Sequence, residues 1–367
     1  MKPANKKGLG ALGLLLALGL LAPELGQAQP SFVSTRQFWK DPEFINKFMA
    51  SYGVKSEVEP KINAEEKELF DKLIPQIQAD PTQAIVMLIE AITPESSAAL
   101  DFTLANLYVQ ANDYPKAVVQ YRQAIIKFPD FQRAHMNLGV VLIQLNQHLE
   151  AQKELVRTLE LGGEDGNIYG LIGYCHLISG KYLSAEAAYR KASLFSPDKL
   201  DWKLGIAQCE LQQQKYGECV TLFGELIQAK PDNADYWLHQ ANAYLGLAQS
   251  QKAATNYEVV RRMGKADAKV LNQLADIYIN EGTYDLAFAA YRDAAAADEG
   301  REAAPSIRAA DILISVGEFD RGNSLLAQIR SIHKDKFNEG DRLKILQLES
   351  RVQLANGEEA KAIKTLE

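Results

Sequence analysis

The chain has 367 residues, 47% hydrophobic and 24% charged, with 13 prolines and no long Ser/Gly tract, which excludes extensive disorder. Its formal net charge is −7; the first 28 residues hold Lys2, Lys6, Lys7 and Glu24, so the remainder carries −9, a poor balance for binding nucleic acid or anionic lipid. The three cysteines, Cys175, Cys209 and Cys219, form neither a C-x-x-C nor a zinc spacing.

The N-terminus reads as a processing segment. A basic head precedes the apolar run Leu9–Ala22, which is too short to span a bilayer comfortably. Gly26 and Ala28 put small residues at the −3 and −1 positions of a cleavage site. A secretory signal peptide over residues 1–28 is expected, with export to a periplasm and no membrane insertion after cleavage; an uncleaved anchor is the alternative. Gly8, Gly10 and Gly13 spell a dinucleotide fingerprint, but no strand precedes them and no βαβ unit surrounds them.

Residues 29–62 are rich in aromatics, from Phe32 to Tyr52. Asp41-Pro42 reads as a helix start, after which Phe44, Ile45, Phe48, Met49 and Tyr52 share one face. The segment is either a capping helix or a docking segment, for another protein, for a neighbouring copy's groove or for the protein's own groove. Residues 63–97 read as a degenerate helix pair, with Asn63 as a cap and a turn at Asp80-Pro81.

From residue 98 a period of 34 sets in. One column runs Ala105, Gly139, Gly173, Ala207, Ala241, Ala275; a second runs Ala117, Ala151, Ala185, Cys219, Ala253, Ala287; a third runs Tyr121, Leu155, Tyr189, Phe223, Tyr257, Tyr291. Small residues recur where helices touch and bulky ones where a gap must be filled. Such a period signals stacked helix pairs, none of which can bury its apolar stripe alone. Six in-phase units cover 98–301; the phase then slips by one residue. A seventh unit fits 303–336, an insert follows around Lys334–Gly340, and a partial eighth fits 343–367.

These columns resemble the tetratricopeptide repeat (TPR). Counted from Ala98, the first unit shows Leu104, Ala105, Tyr108, Ala117, Tyr121, Ala124 and Pro129 at the family's positions 7, 8, 11, 20, 24, 27 and 32; the units from Gly166 and Ala234 repeat much of this. Gly163, Lys265 and Glu299 replace the terminal proline, and His176 and Glu210 replace the tyrosine of position 11. The resemblance implies an all-α, right-handed superhelical solenoid of antiparallel helix pairs. It also implies a concave groove lined by positions 2, 5, 6, 9, 12 and 13 of each first helix. The groove candidates are Phe102, Asn106, Met136, Asn137, Tyr174, Gln208, His239, Asn242, Asn272, Gln273 and Asp276. Amides recur in neighbouring pairs, Asn106 with Asn137 and Asn242 with Gln273, and a side-chain amide suits a peptide backbone because it both donates and accepts. The family's clamp for a chain-terminal carboxylate is missing, since Phe102, Asn167 and Leu171 stand where basic residues are needed.

No catalytic motif, cofactor loop or metal spacing is present, and the five histidines fall at unrelated positions. His176 and Glu210 share position 11 of adjacent units and are expected to meet as a structural pair. The cysteines, in small-residue slots, are expected to be packing thiols. The expected function is a non-catalytic scaffold of the cell envelope that binds protein or peptide partners. The alternatives are the regulatory or substrate-holding part of an envelope enzyme or transport complex, and a self-assembling structural protein.

Overall fold

The computed structural model describes residues 57–298, 301–334 and 337–366. The expected leader and the stretch Phe32–Tyr52 lie outside the described residues. Among the described residues there are helices and no strand, and no helix is long and apolar enough to cross a membrane.

The first pair is α1 (Ala64–Ala79) and α2 (Pro81–Ala91). A capping box starts α1: the Asn63 side chain accepts from the Glu66 N–H at 2.8 Å, and Glu66 accepts from the Asn63 N–H at 3.0 Å. The other Glu66 oxygen accepts from the Ser97 N–H at 2.7 Å, tying α1 to the start of the next pair. Asp80 ends α1 and caps α2, whose first residue is Pro81.

The in-phase pairs follow: α3 (Ala98–Gln110) with α4 (Tyr114–Lys127), α5 (Gln132–Gln144) with α6 (His148–Glu160), and α7 (Gly166–Ile178) with α8 (Tyr182–Phe195). Next come α9 (Leu200–Gln212) with α10 (Tyr216–Ala229), α11 (Ala234–Gly246) with α12 (Ser250–Arg262), and α13 (Ala268–Asn280) with α14 (Tyr284–Ala297). The chain closes with α15 (Ala304–Ser315), α16 (Phe319–His333), α17 (Glu339–Ala355) and α18 (Glu359–Leu366). Each helix packs on its successor, and first helices touch across pairs, as α5 does α7 and α7 does α9. The result is a solenoid.

The small-residue column has a geometric cause. A Cβ built on Gly139 would stand 2.8 Å from Leu155, and one on Gly173 would stand 3.0 Å from the Tyr189 ring. Both partners belong to the bulky column, so the two columns interlock within each unit. Cys175, Cys209 and Cys219 are buried and unpaired, with burial pushing each thiol up to about 12.

A further column lies at the turn inside each pair. Asn112, Asn146, Gly180, Gln214, Ala248 and Gly282 all have positive φ, between 56° and 70°, and recur every 34 residues. After the phase slip Gly317 takes the same role. Gly163 and Lys265, which replace the terminal proline, each follow a glycine. Gly162 and Gly264, also at positive φ, provide the chain reversal there.

The C-terminal region departs from expectation. The sequence pattern puts an insert around Lys334–Gly340 and starts the last unit at Leu343. Instead α17 begins at Glu339, because the Asn338 side chain accepts from the Asp341 N–H at 2.8 Å and two acidic residues occupy the first turn. Gly340 lies within this helix.

The left-handed column makes opposite predictions at two of its members. Ala248 pays a conformational cost that a glycine would not, so Ala248→Gly should stabilise by about 0.5–1 kcal/mol, whereas Gly180→Ala should destabilise by about 1–2 kcal/mol. Urea unfolding midpoints of the two variants check this; shifts of the same sign would refute the shared geometry.

Candidate binding groove

The structure separates the groove candidates into three groups. Phe102 is only 2% exposed, beneath the ring of Phe131 (4.8 Å between centroids) and the guanidinium of Arg133. Tyr174 and Gln208 are also buried. These three pack the wall and present little surface to a partner. Asn106, Met136, Asn137, His239, Asn242, Asn272, Gln273 and Asp276 are half-buried along the first helices.

The hydroxyl of the bulky column decides what several of the polar candidates do. Tyr121 Oη donates to Asn106 at 2.5 Å, Tyr257 Oη to Asn242 at 3.0 Å, and Tyr291 Oη to Asp276 at 2.5 Å. Each bond joins position 24 to position 9 of the same unit. Where position 24 lacks a hydroxyl, at Leu155 and Phe223, position 9 holds Val140 and Gln208. The pairing is not general, since Tyr189 stands with Tyr174 at position 9 and makes no such bond. Asn106 also accepts from Asn137 at 3.0 Å, so that amide pair is joined. Asn242 and Gln273 are not joined; Asn242 serves Tyr257 instead.

Asn272 and Gln273 differ in kind. Neither makes a hydrogen bond to the protein, so both donors and both acceptors are available. They line a cavity of about 720 Å³ together with Lys269, Asp276, Ser306 and Arg308. The cavity sits between α13 and α15, across the phase slip, with the end of α14 as its floor. Arg308 reaches back to Asp276 at 2.5 Å, which fixes its acidic wall. Lys269 and Arg308 bring positive charge beside Asp267, Asp276 and Asp298, so the site suits a polar, zwitterionic ligand such as a polypeptide main chain with mixed side chains.

His176 and Glu210 do not meet. His176 lies 3.4 Å from the Gln152 amide, whereas Glu210 accepts from Arg190 at 2.8 Å. Arg190 faces both Glu210 and Glu186 and therefore outcompetes an imidazole. Burial opposes ionisation of Glu186, yet hydrogen bonds from Lys215, Gln213 and Arg190 hold its carboxyl down to about 2. Glu210 shifts the other way, raised by burial against the pull of Arg190. His135 is also held tightly in the wall. One ring nitrogen lies 2.6 Å from Glu154 and the other 2.9 Å from the Pro129 carbonyl. Among the described residues no group of His, Cys, Asp and Glu is arranged to hold a metal ion.

Helix pairs stacked at a 34-residue period around a groove define a helical repeat protein. Tetratricopeptide repeat profiles match residues 102–159, 176–243 and 238–302, and the chain belongs to the tetratricopeptide repeat proteins. It is 24% identical over 222 residues to the BBSome complex member BBS4 of Bos taurus, covering 59% of this chain and 42% of that protein. It is 22% identical over 234 residues to DnaJ homolog subfamily C member 3 of Rattus norvegicus, covering 59% and 45%. The chain thus spans less than half the length of these relatives. Among solved structures, the C-terminal part of a TPR repeat-containing protein from Cytophaga hutchinsonii superposes with a TM-score of 0.55 at 14% identity, covering 65% of this chain and 97% of that one.

Two predictions test the wall. Tyr257→Phe should cost about 1 kcal/mol by removing the bond to Asn242, while Tyr189→Phe, whose hydroxyl has no partner, should cost almost nothing. Thermal melts compare them, and equal losses would count against the position 9 to 24 link. For pH the sign follows from the depressed carboxyl of Glu186. Its stabilisation is present above the unfolded value of 4.5 and is lost as pH falls toward about 2. Glu186→Gln should flatten that part of the acid-unfolding curve, removing on the order of 1–3 kcal/mol of pH-dependent stability. An unchanged slope between pH 4.5 and 2 would refute the assignment.

Proposed function

We propose that the protein is a non-catalytic scaffold of the cell envelope whose concave groove binds an extended segment of a partner protein. TPR proteins mediate protein–protein interactions, and the bovine relative is named as the member of a complex. One observation carries the reading to this molecule: Asn272 and Gln273 stand side by side in the cavity between α13 and α15 with their side-chain hydrogen-bonding groups unused. A partner's main chain running past α13 would pair with both, each amide donating to a carbonyl and accepting from an N–H. Envelope location rests on the basic head, apolar run and small-residue cleavage site of residues 1–28. The missing carboxylate clamp favours an internal segment of the partner over its C-terminal end.

Affinity capture from envelope extract, followed by mass spectrometry, tests the groove. A partner recovered by the wild-type protein should be depleted about tenfold or more by Asn272→Ala with Gln273→Ala, since two hydrogen-bonded pairs are worth roughly 1–3 kcal/mol. A control at the exposed Leu183 of α8, Leu183→Ser, should recover it in full. Equal recovery by the groove variant, or loss at Leu183, would overturn the proposal.

A further inference from the structure

Residues 57–60, which precede α1, lie against the starts of first helices and not beyond the first helix pair. Residues 57–63 run over the first helices before α1 starts. Followed toward lower numbers, Glu66 contacts Ser97 at the start of α3. Pro60 and Glu59 are buried, and Glu59 receives both Arg133 Nε at 2.7 Å and Arg133 Nη2 at 2.6 Å, at the start of α5. The Val58 carbonyl then accepts the Gln132 N–H at 3.3 Å. Between Glu66 and Glu59 the chain thus passes from the start of α3 to the start of α5, one repeat along, and Val58 stays there. Arg133 holds this path in register, because its guanidinium also covers the Phe102 and Phe131 rings. The segment therefore already fills, in cis, the groove end where Phe102 was expected to meet a partner.

We propose that residues 29–56 continue along this path and occupy the concave groove of their own chain, so that a partner must displace them. The inference rests on the reading of the groove as a polypeptide-binding surface. Three physical facts support the occupant. First, the reach suffices. From α5 to α13 is four repeats, roughly 40 Å at about 10 Å between neighbouring helices, whereas 28 residues span roughly 90 Å extended and about 42 Å as a helix. Second, the charges match. Arg36, Lys40, Lys47 and Lys55 outweigh Asp41 and Glu43, giving the segment a net +2, so residues 57–367 carry −11. On the groove ahead, Asp201 and Asp235 occupy position 2 of consecutive units, exposed and without an ion pair. Third, the surfaces match. Phe44, Phe48 and Tyr52 fall on one helical face, and Met136, Leu204, Leu211 and Leu238 along the groove are only partly buried. A covalent tether gives such a segment an effective concentration on the order of millimolar, which a free partner must exceed.

Zero-length carbodiimide cross-linking of the intact chain, followed by peptide mass spectrometry, tests the path directly. The monomer band should contain Lys40 or Lys47 joined to Asp201 or Asp235, alongside the control link Lys344–Asp311, an ion pair of 2.9 Å. In a second arm, a fluorescein-labelled peptide of residues 29–56 is titrated in trans. Phe44→Ser with Phe48→Ser and Tyr52→Ser should bind it about 10–100-fold more tightly than the intact chain. Control links without the predicted ones overturn the proposal. So do predicted links confined to a dimer band, which would place the segment on a second copy. If the links are absent while the Asn272/Gln273 variant still loses its partner, only the cis occupant fails. If the links form and that variant keeps its partner, the partner site alone fails.

Discussion

Everything in this solenoid depends on the close approach of two helices at one point in each unit. The residue at that point is glycine or alanine, and the bulky side chain sixteen residues later lies against it. Gly173 under the Tyr189 ring shows the tolerance, since one added carbon would stand 3.0 Å from the ring. An overpacked contact of this kind costs about 1–3 kcal/mol. It would also tilt one helix pair, and stacking would carry the tilt to its neighbours. The small column therefore sets the curvature of the groove as well as the stability of each unit.

The bulky column then couples this core to the groove wall. Where it carries a hydroxyl with a partner, the oxygen emerges beside the first helix and takes Asn106, Asn242 or Asp276. A buried phenol gains from a partner, and in three units position 9 supplies one; Tyr189, opposite Tyr174, goes without. Polar groups that look like a recognition surface are thereby spent on structure. What remains for recognition is the part of the wall that the tyrosines do not claim, chiefly Asn272 and Gln273 beside the phase slip.

The helix pairs were legible in the sequence because their determinants are local and periodic. Three columns at one spacing define both helices of a unit and the contact between them. The turn column at Asn112, Asn146, Gly180, Gln214, Ala248 and Gly282 was only half legible, since Gln and Ala are not residues that announce a positive φ. The groove was less legible still. Position alone marks Phe102 as a groove residue, yet Arg133 and Phe131 cover it, and that covering depends on where residues 57–60 run. His176 and Glu210 failed for a related reason: equal positions in adjacent units do not ensure contact when a longer, charged side chain such as Arg190 stands nearer.

The buried polar residues also divide the solenoid. The apolar core runs continuously from Phe70 to Cys209 and again from Ala241 to Val352, with a smaller cluster around Phe223 between them. At this narrowing Gln240 takes the place that Leu104, Leu138 and Leu274 hold in other units. It is satisfied by the Val220 carbonyl and by Asn256, each at 2.9 Å. The Glu186–Arg190–Glu210 cluster lies immediately before it. Amides and ion pairs that satisfy one another keep their geometry only in one register, whereas leucines tolerate sliding. The join between the two apolar cores is thus held by direction-dependent bonds. It lies between the groove end that the chain fills with its own residues 57–60 and the open cavity at α13 and α15, so the relative placement of those two regions is set by hydrogen bonds more than by apolar contact.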